Sequence, residues 1–340
     1  MIRRRRGVAA AGFALAAAMA LVACSGGATD DATGAATDAS SGAASASSFT
    51  PVIDRDFPDP DVLATDDGYF LYATNDSTRN VQVARSADLV EWEVLDDDAL
   101  PELPDWVIPG KTWAPEVTEV APGEFVMYAT TTNFSPTLQC LAVATADSPE
   151  GPFTVQGDGM LVCPEEEGGA IDAATFRDDD GSLHLLWKND GNCCGLDTWL
   201  QTAPLSADGL SLTGPPVRLL KQDLAWEGDL IEAPTVVKRD GAYHLFYSAN
   251  SYGDETYAVG HATAAALMGP WTKDPEPLLS TEATDGALVG PGGQDVVTDA
   301  SGDDVFVFHA WDPDFLARQV YTLPLTWVGG VPRVETDRVP

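Results

Sequence analysis

Five short segments of one design recur along this chain at nearly equal intervals. They are Asp67-Gly-Tyr-Phe-Leu-Tyr72, Gly123-Glu-Phe-Val-Met-Tyr128, Asp180-Gly-Ser-Leu-His-Leu-Leu-Trp187, Asp240-Gly-Ala-Tyr-His-Leu-Phe-Tyr247 and Gly302-Asp-Asp-Val-Phe-Val-Phe-His309. Their ends lie 56, 59, 60 and 62 residues apart. Each opens on a turn-forming Asp or Gly and runs into β-branched and aromatic residues, the pattern of a hairpin turn entering a strand. A second element follows three of them, ending at Trp92, Phe153 and Trp271, and reads as a strand, a turn and an aromatic that opens an outer strand. No long window carries helical periodicity. A regular period with about four strands per copy is what a propeller blade needs, and a β-sandwich gives no reason for five equal periods. The expected fold is all-β: a five-bladed β-propeller with four-stranded antiparallel blades.

The repeats begin late in the chain. Arg3 to Arg6 form a positive cluster, Val8 to Ala23 an Ala- and Leu-rich apolar run, and Leu21-Val22-Ala23-Cys24 closes it. The run is too short and too rich in Ala for a membrane span and fits a secretory signal over residues 1–23. A cysteine directly after a small residue at this point resembles the bacterial lipobox, which implies acylation of Cys24. Residues 24–48 are almost wholly Ser, Gly, Ala, Thr and Asp. Such a segment cannot bury enough apolar surface to offset its ordering entropy, so a flexible tether is expected. Residues 49–340 are then the propeller domain, held by the lipid at the outer face of the cell membrane, or secreted.

The 340 residues carry 18 Lys and Arg against 53 Asp and Glu, a net charge of −35. Nucleic acid is bound mainly through Lys and Arg, so it is excluded as a partner, and so is anionic lipid gripped by basic patches. A neutral ligand fits best, with the acidity serving solubility, and a monomer is expected. Beyond Cys24 there are Cys140, Cys163, Cys193 and Cys194. An even number in an exported chain points to disulfides. The expected bond is Cys140–Cys163, with Cys193 and Cys194 bonded to each other or separately partnered. Zinc is a poor alternative, because no His pair lies near them at metal spacing.

In a propeller the innermost strands converge on one axis, and polar residues there face a common cavity. The stretches that precede the repeated turns are Phe57-Pro-Asp-Pro-Asp-Val62, Thr112-Trp-Ala-Pro-Glu-Val117, Gly168-Gly-Ala-Ile-Asp-Ala173, Leu230-Ile-Glu-Ala-Pro-Thr235 and Gly290-Pro-Gly-Gly-Gln-Asp-Val296. Three of them set an acid, Asp59, Asp172 or Glu232, at what reads as one shared position. A single Asp-Pro is ordinary turn chemistry. Three acids in register around one axis are costly unless used. Like charges in a partly desolvated cavity raise one another's pKa, so one stays protonated while another is ionised. Glycoside hydrolysis needs that division, with one acid to protonate the leaving oxygen and one base to activate water.

Taken in order, Pro58-Asp-Pro-Asp-Val62, Trp113-Ala-Pro-Glu-Val117, Ile171-Asp-Ala173 with Asp178-Asp-Asp-Gly181, and Glu232-Ala-Pro234 with Tyr243-His-Leu-Phe-Tyr247 resemble glycoside hydrolase family 43. That family consists of five-bladed propeller glycosidases acting on arabinose- and xylose-containing plant polysaccharides, and the resemblance spans Pro51 to about Pro332. It implies inverting hydrolysis, with Asp59 as general base, Glu232 as general acid and Asp172 raising the acid's pKa and orienting substrate. An inverting pair is expected with its carboxyls roughly 6.5–9.5 Å apart. Asp61, Glu116 and Glu227 are nearby competitors. Arg318 matches an arginine supporting the substrate-holding site.

Phe57, Trp113, Trp226 and Trp311 are candidates to stack on sugar, Trp113 foremost, against a plain role in blade packing. Many relatives carry a His facing an axial calcium or sodium ion where this chain has Gly293. Gln294 is the candidate to hold such a structural calcium, or substrate, through its oxygen. No other cofactor is implied, and the partner is a neutral polysaccharide or oligosaccharide. Two other readings remain: a non-catalytic carbohydrate-binding surface lipoprotein, and a retaining propeller fructosidase.

Overall fold

In the computed structural model of the protein, which describes residues 49–336, each repeated turn is the hairpin between the first and second strands of a sheet. The signal segment, Cys24 and the 24–48 stretch lie outside the described residues. Blade one is β1 (Asp61–Thr65), β2 (Gly68–Ala73), β3 (Gln82–Ser86) and β4 (Trp92–Val94). Blade two is β5 (Val107–Ala121), β6 (Glu124–Asn133), β7 (Gln139–Ala146) and β8 (Thr154–Val155). Blade three is β9 (Ala170–Arg177), β10 (Leu183–Asn189), β11 (Trp199–Pro204) and β12 (Val217–Lys221). Blade four is β13 (Ile231–Arg239), β14 (Ala242–Ala249), β15 (Ala258–Ala264) and β16 (Thr272–Lys273), with β17 (Leu279–Ser280) also paired to β15. Blade five is β18 (Val289–Thr298), β19 (Asp304–Trp311), β20 (Arg318–Val328) and β21 (Val331–Val334). The chain is a five-bladed β-propeller.

Each blade is covered by a neighbour on both faces, which is why the second strands read as continuous apolar runs rather than as alternation. β10 is buried at every residue. The core is accordingly divided into clusters that sit between blades. Tyr72 and Val83 meet Val117 and Met127 between blades one and two. Tyr128 and Leu141 meet Leu185 and Trp187 between blades two and three. Leu186 and Leu200 meet Leu245 and Tyr247 between blades three and four. Phe246 meets Phe306 and Phe308 between blades four and five. The last cluster closes the ring: Ile53, Phe57, Val62 and Leu71 pack on Val297, Val307 and Val320. There the segment before blade one lies along β20, with Ile53 bridged to Val320 and the Val52 N–H donating to the Val320 carbonyl at 2.8 Å.

This closure corrects one expectation. Phe57 is fully buried in the closing cluster, so it is blade packing and does not stand at the cavity mouth. Its N–H donates to the Arg318 carbonyl, which draws the ring under the blade edge.

Register across the first hairpins reveals the feature that shapes the site. Asp61, Glu116, Ala174, Thr235 and Asp295 pair with Tyr72, Tyr128, Leu186, Phe246 and Val307. Before each of these inner residues the ladder slips, so that two residues oppose one. The paired residues beyond the slip are Trp113 with Thr130, Ile171 with Lys188, Glu232 with Ser248 and Gly292 with His309. In blade one the Thr74 N–H reaches the Pro58 carbonyl at the same place. The first bulged residue is Asp59, Ala114, Asp172, Ala233 or Gly293, and all five have positive φ, between 40° and 58°. The second is Pro60, Pro115 or Pro234 in three blades, a residue that has no N–H to lose at an unpaired position. A bulge of this kind re-aims a side chain and ends regular pairing. It also shifts the sequence alignment. Trp187, Tyr247 and His309, which end the repeats, are not the equivalents of Tyr72 and Tyr128.

If the segment along β20 closes the ring, removing a deeply buried side chain from it has a measurable cost. Ile53→Ala is expected to lower unfolding stability by about 2–5 kcal/mol in a urea titration. A loss below about 0.5 kcal/mol, the range of ordinary surface changes, contradicts that role.

Candidate active site

The bulges leave one backbone N–H per blade pointing out of its own ladder, and a side chain two residues past the paired position on a second strand accepts it. The Ala114 N–H donates to Thr74 Oγ1 at 2.9 Å, and the Asp172 N–H to Thr130 Oγ1 at 3.2 Å. The Gly293 N–H donates to Ser248 Oγ at 2.9 Å, and the Asp59 N–H to His309 Nδ1 at 3.0 Å. Blade three breaks the rule. Its residue at that place is Lys188, which has no lone pair to offer, and the Ala233 N–H turns instead to Asp172 Oδ2 at 3.0 Å.

Two of the three predicted acids line one pocket of about 550 Å³, whose lining includes Asp59, Trp113, Lys188, Glu232, Tyr252 and Arg318. Asp172 follows the lining residue Ile171 and accepts the Ala233 N–H, next to Glu232 in the chain. The three acids do not occupy one shared position, as their motifs suggest. Asp59 and Asp172 are first bulge residues, whereas Glu232 stands one residue earlier and Ala233 is their equivalent. The β-bulge explains how adjacent positions serve one cavity, since alternation of faces fails there.

Each acid has its own electrostatic setting. Burial pushes the Asp59 carboxyl up, but the Arg318 charge, helped by the Thr74 hydroxyl, outweighs it and holds the group below the usual carboxylate range. Arg318 Nη1 is 3.3 Å from Asp59 Oδ1, and Thr74 Oγ1 donates to Oδ2 at 2.7 Å. His309 is pushed down to about 3 by burial and then by Arg318, so its ring is neutral at physiological pH. Asp172 is pushed well above the carboxylate range by burial and then by Glu232, despite the opposing Lys188 charge. Glu232 is held at both oxygens, with Tyr257 Oη donating to Oε1 at 2.8 Å and Lys188 Nζ lying 3.3 Å from Oε2. Tyr257 stacks on His309, so the supports of Asp59 and Glu232 touch.

That stack explains the Gly-Gly pair of blade five. A Cβ on Gly292 would lie 2.1 Å from the Tyr257 ring, and one on Gly293 2.6 Å from the His309 ring. The His309 ring lies directly against Gly293, which leaves no room for a histidine there.

Asp61 and Glu116, two of the competing acids, belong to a second tier below the pocket. Asp61 accepts the Val117 N–H, Glu116 accepts the Thr175 N–H and hydroxyl, and Asp295 accepts the Val62 N–H. Each bond crosses from one blade to the next, so these carboxylates are staples. Burial and mutual repulsion push Asp61 well above its ordinary range and Asp295 to about 7. Glu227, the third competitor, is buried in an ion pair with Lys273 and accepts the Tyr247 hydroxyl.

The remaining candidates divide. Trp113 lines the pocket, and Trp311 lies beneath the Arg318 guanidinium at 5.9 Å. Trp226 stacks on Tyr247 within the core. Arg318 pairs with Asp59 rather than with Asp172. Gln294 lies outside this pocket, beside a small axial cavity of about 40 Å³, and this corrects its assignment to substrate. Its oxygen accepts from Ser248 and its amide donates to the Ala233 carbonyl, so both ends are spent on blade contacts. Among the described residues no three His, Cys, Asp or Glu side chains are grouped to hold a metal ion. Cys140 is bonded to Cys163, next to the Leu141–Val162 bridge, and Cys193 to Cys194. The latter pair lies in the exposed turn 191–194, beside the pocket residue Asn192.

Of the residues that shape this pocket, Lys188, Tyr257 and His309 are absent from the sequence expectations. A signal for Lys188 exists: its repeat reads Leu-Leu-Trp-Lys where the others place Thr, Ser or His, but only the bulge register aligns them.

Carboxylates of opposite tendency at one end of a propeller axis are the equipment that a glycoside hydrolase needs. Comparison narrows it: residues 49–332 match glycosyl hydrolases family 43, and the chain belongs to that family. It is an O-glycosyl hydrolase, and the chemistry of its family requires no organic cofactor. It is similar to a β-D-galactofuranosidase of Aspergillus niger, 25% identical over 76% of this chain and 75% of that protein. It is also similar to an α-L-arabinofuranosidase of Humicola insolens, 27% identical over 74% of this chain and 54% of the relative. Among solved structures, a thermostable family-43 glycoside hydrolase superposes with a TM-score of 0.74 at 29% identity, covering 86% of this chain and 98% of the other. An endo-1,4-β-xylanase from Bacteroides thetaiotaomicron does so at 0.71 and 28% identity, covering 85% and 97%. The chain spans three quarters of the galactofuranosidase but only about half of several other curated relatives.

Proposed function

We propose that this protein hydrolyses arabinofuranosyl or xylosyl linkages of plant polysaccharides or their oligosaccharides with inversion at the anomeric carbon. Asp59 is the general base, Glu232 the general acid and Asp172 the group that orients substrate and keeps a proton in the pair it forms with Glu232. The observation that carries the reading is the opposed setting of the acids. Asp59 is held ionised by Arg318, whereas burial and the neighbouring Glu232 drive the Asp172 carboxyl towards its protonated form. Glu232, unlike Asp172, lines the pocket and is therefore the acid placed to protonate the leaving oxygen. Water activated by Asp59 attacks one face of the sugar while Glu232 protonates the departing oxygen on the other. Trp113 offers a ring for the sugar face.

The substrate reading rests on relatives named as arabinofuranosidase, arabinanase and xylosidase. An α-L-arabinofuranosyl and a β-D-galactofuranosyl ring share their configuration and differ in the exocyclic arm. A panel of arabinan, arabinoxylan, xylo-oligosaccharides and a β-D-galactofuranoside therefore tests it. Glu232→Gln and Asp59→Asn should each reduce turnover of the best substrate about 10²–10⁴-fold with unchanged circular dichroism. Near-native rates in either variant, or no sugar release from the whole panel, contradict the assignment; the latter outcome favours a carbohydrate-binding role.

We further infer that the protein acts at the outer face of the membrane, anchored through Cys24. The support is the leader's charge, its short apolar run and the small residue before Cys24. Expression in a bacterial host should place the full chain in the membrane fraction and Cys24→Ala outside it. Equal partition of the two contradicts the anchor.

A further inference from the structure

Lys188 occupies the one place in the ring where the architecture asks for an acceptor and receives a cation. Thr74, Thr130, Ser248 and His309, its four equivalents, each accept the spare N–H of the following bulge. A threonine at 188 would do the same. Instead the side chain is 1% exposed, and burying an ammonium costs several kcal/mol unless carboxylates surround it. They do. Nζ lies 3.3 Å from Glu232 Oε2 and 3.4 Å from Asp190 Oδ1, and Asp172 is the next charge. The other groups facing this cluster are the Tyr257 hydroxyl from blade four and Asp59, with Arg318 and His309 behind it.

We propose that Lys188 is the positioning residue for the general acid: its ammonium fixes the Glu232 carboxyl by Oε2 and stabilises the carboxylate that remains once the proton has passed to the leaving oxygen. The inference rests on the reading of Glu232 as that acid. Because Lys188 cannot accept, the Ala233 N–H is left to Asp172, and this same bond ties Asp172 to the residue after Glu232. One substitution in the ring thus couples the three groups. A purely structural lysine has no such consequence, since the neutral residues of the other blades complete the ring equally well.

The test compares two glycosides of one sugar, with a 4-nitrophenyl and with a sugar leaving group, the second of which needs its oxygen protonated. Lys188→Thr restores the acceptor that blades one and two carry and is expected to fold. It should lose about 10–10²-fold in kcat on the sugar leaving group and under about 3-fold on the aryl glycoside. Loss of a positive neighbour disfavours the ionised acid, so the alkaline limb of its kcat/KM profile should move up by about one pH unit or more. Lys188→Arg, which keeps the charge, should hold the limb near that of the wild type. Equal losses on both substrates with an unmoved alkaline limb in Lys188→Thr overturn the proposal. Glu232→Gln run alongside separates the two readings. If its loss does not depend on the leaving group, the assignment of Glu232 fails and takes this inference with it. If it does and that of Lys188→Thr does not, the inference alone fails.

Discussion

One backbone device, repeated five times, governs this molecule: the inner strand of every blade bulges with a residue at positive φ, and the N–H it frees is caught by a side chain from a second strand. Non-glycine residues pay for that conformation, of order 1–3 kcal/mol each, so it persists only where packing enforces it. Here the enforcing bonds all run from blade to blade: a neutral side chain of a second strand accepts at four places, and at the fifth the Asp172 carboxylate takes over. The second tier of staples, from Asp61, Glu116 and Asp295, repeats the logic one step down the axis. The ring and the pocket are therefore not separable parts. The residues that close the first are the ones that aim the second.

Charge completes the arrangement. Many carboxylates converge on one axis, and their repulsion is relieved by unequal means. Asp59 is stabilised as an anion by Arg318, a guanidinium that also rests on Tyr252 and Trp311. The axial staples are left without a cation and are driven towards the protonated form. Lys188 is a single positive charge among Glu232, Asp172 and Asp190, too little to keep Asp172 from being driven towards the protonated form. Neutral His309 and Tyr257 stack between the two settings and keep them apart while joining their supports.

The blade count, strand number and family were legible because the hairpin turns, Asp-Gly or Gly with an aromatic run behind, are local signals that recur. The stretches holding Asp59, Asp172 and Glu232 were legible for the same reason. What the sequence concealed is the register. A bulge inserts one residue without leaving a compositional mark, so Trp187 and Tyr247 look like Tyr72 and Tyr128 although Leu186 and Phe246 are their structural equals. That same slip places Glu232 one residue from the position it seemed to share with Asp59. Phe57 and Gln294 misled because a polar or aromatic residue beside an active acid says nothing of its direction: one is core, and the other is spent on blade contacts. Lys188, Tyr257 and His309 lie far from the acids in sequence and meet them only by way of the axis.

Inversion requires Asp59 and Glu232 to work from opposite faces of one sugar, and the configuration of the released product reports that directly. Proton NMR of the first minutes of hydrolysis, before mutarotation, should show the anomer opposite to that of the substrate. A first-formed product of retained configuration contradicts it, because a water delivered by Asp59 cannot yield one.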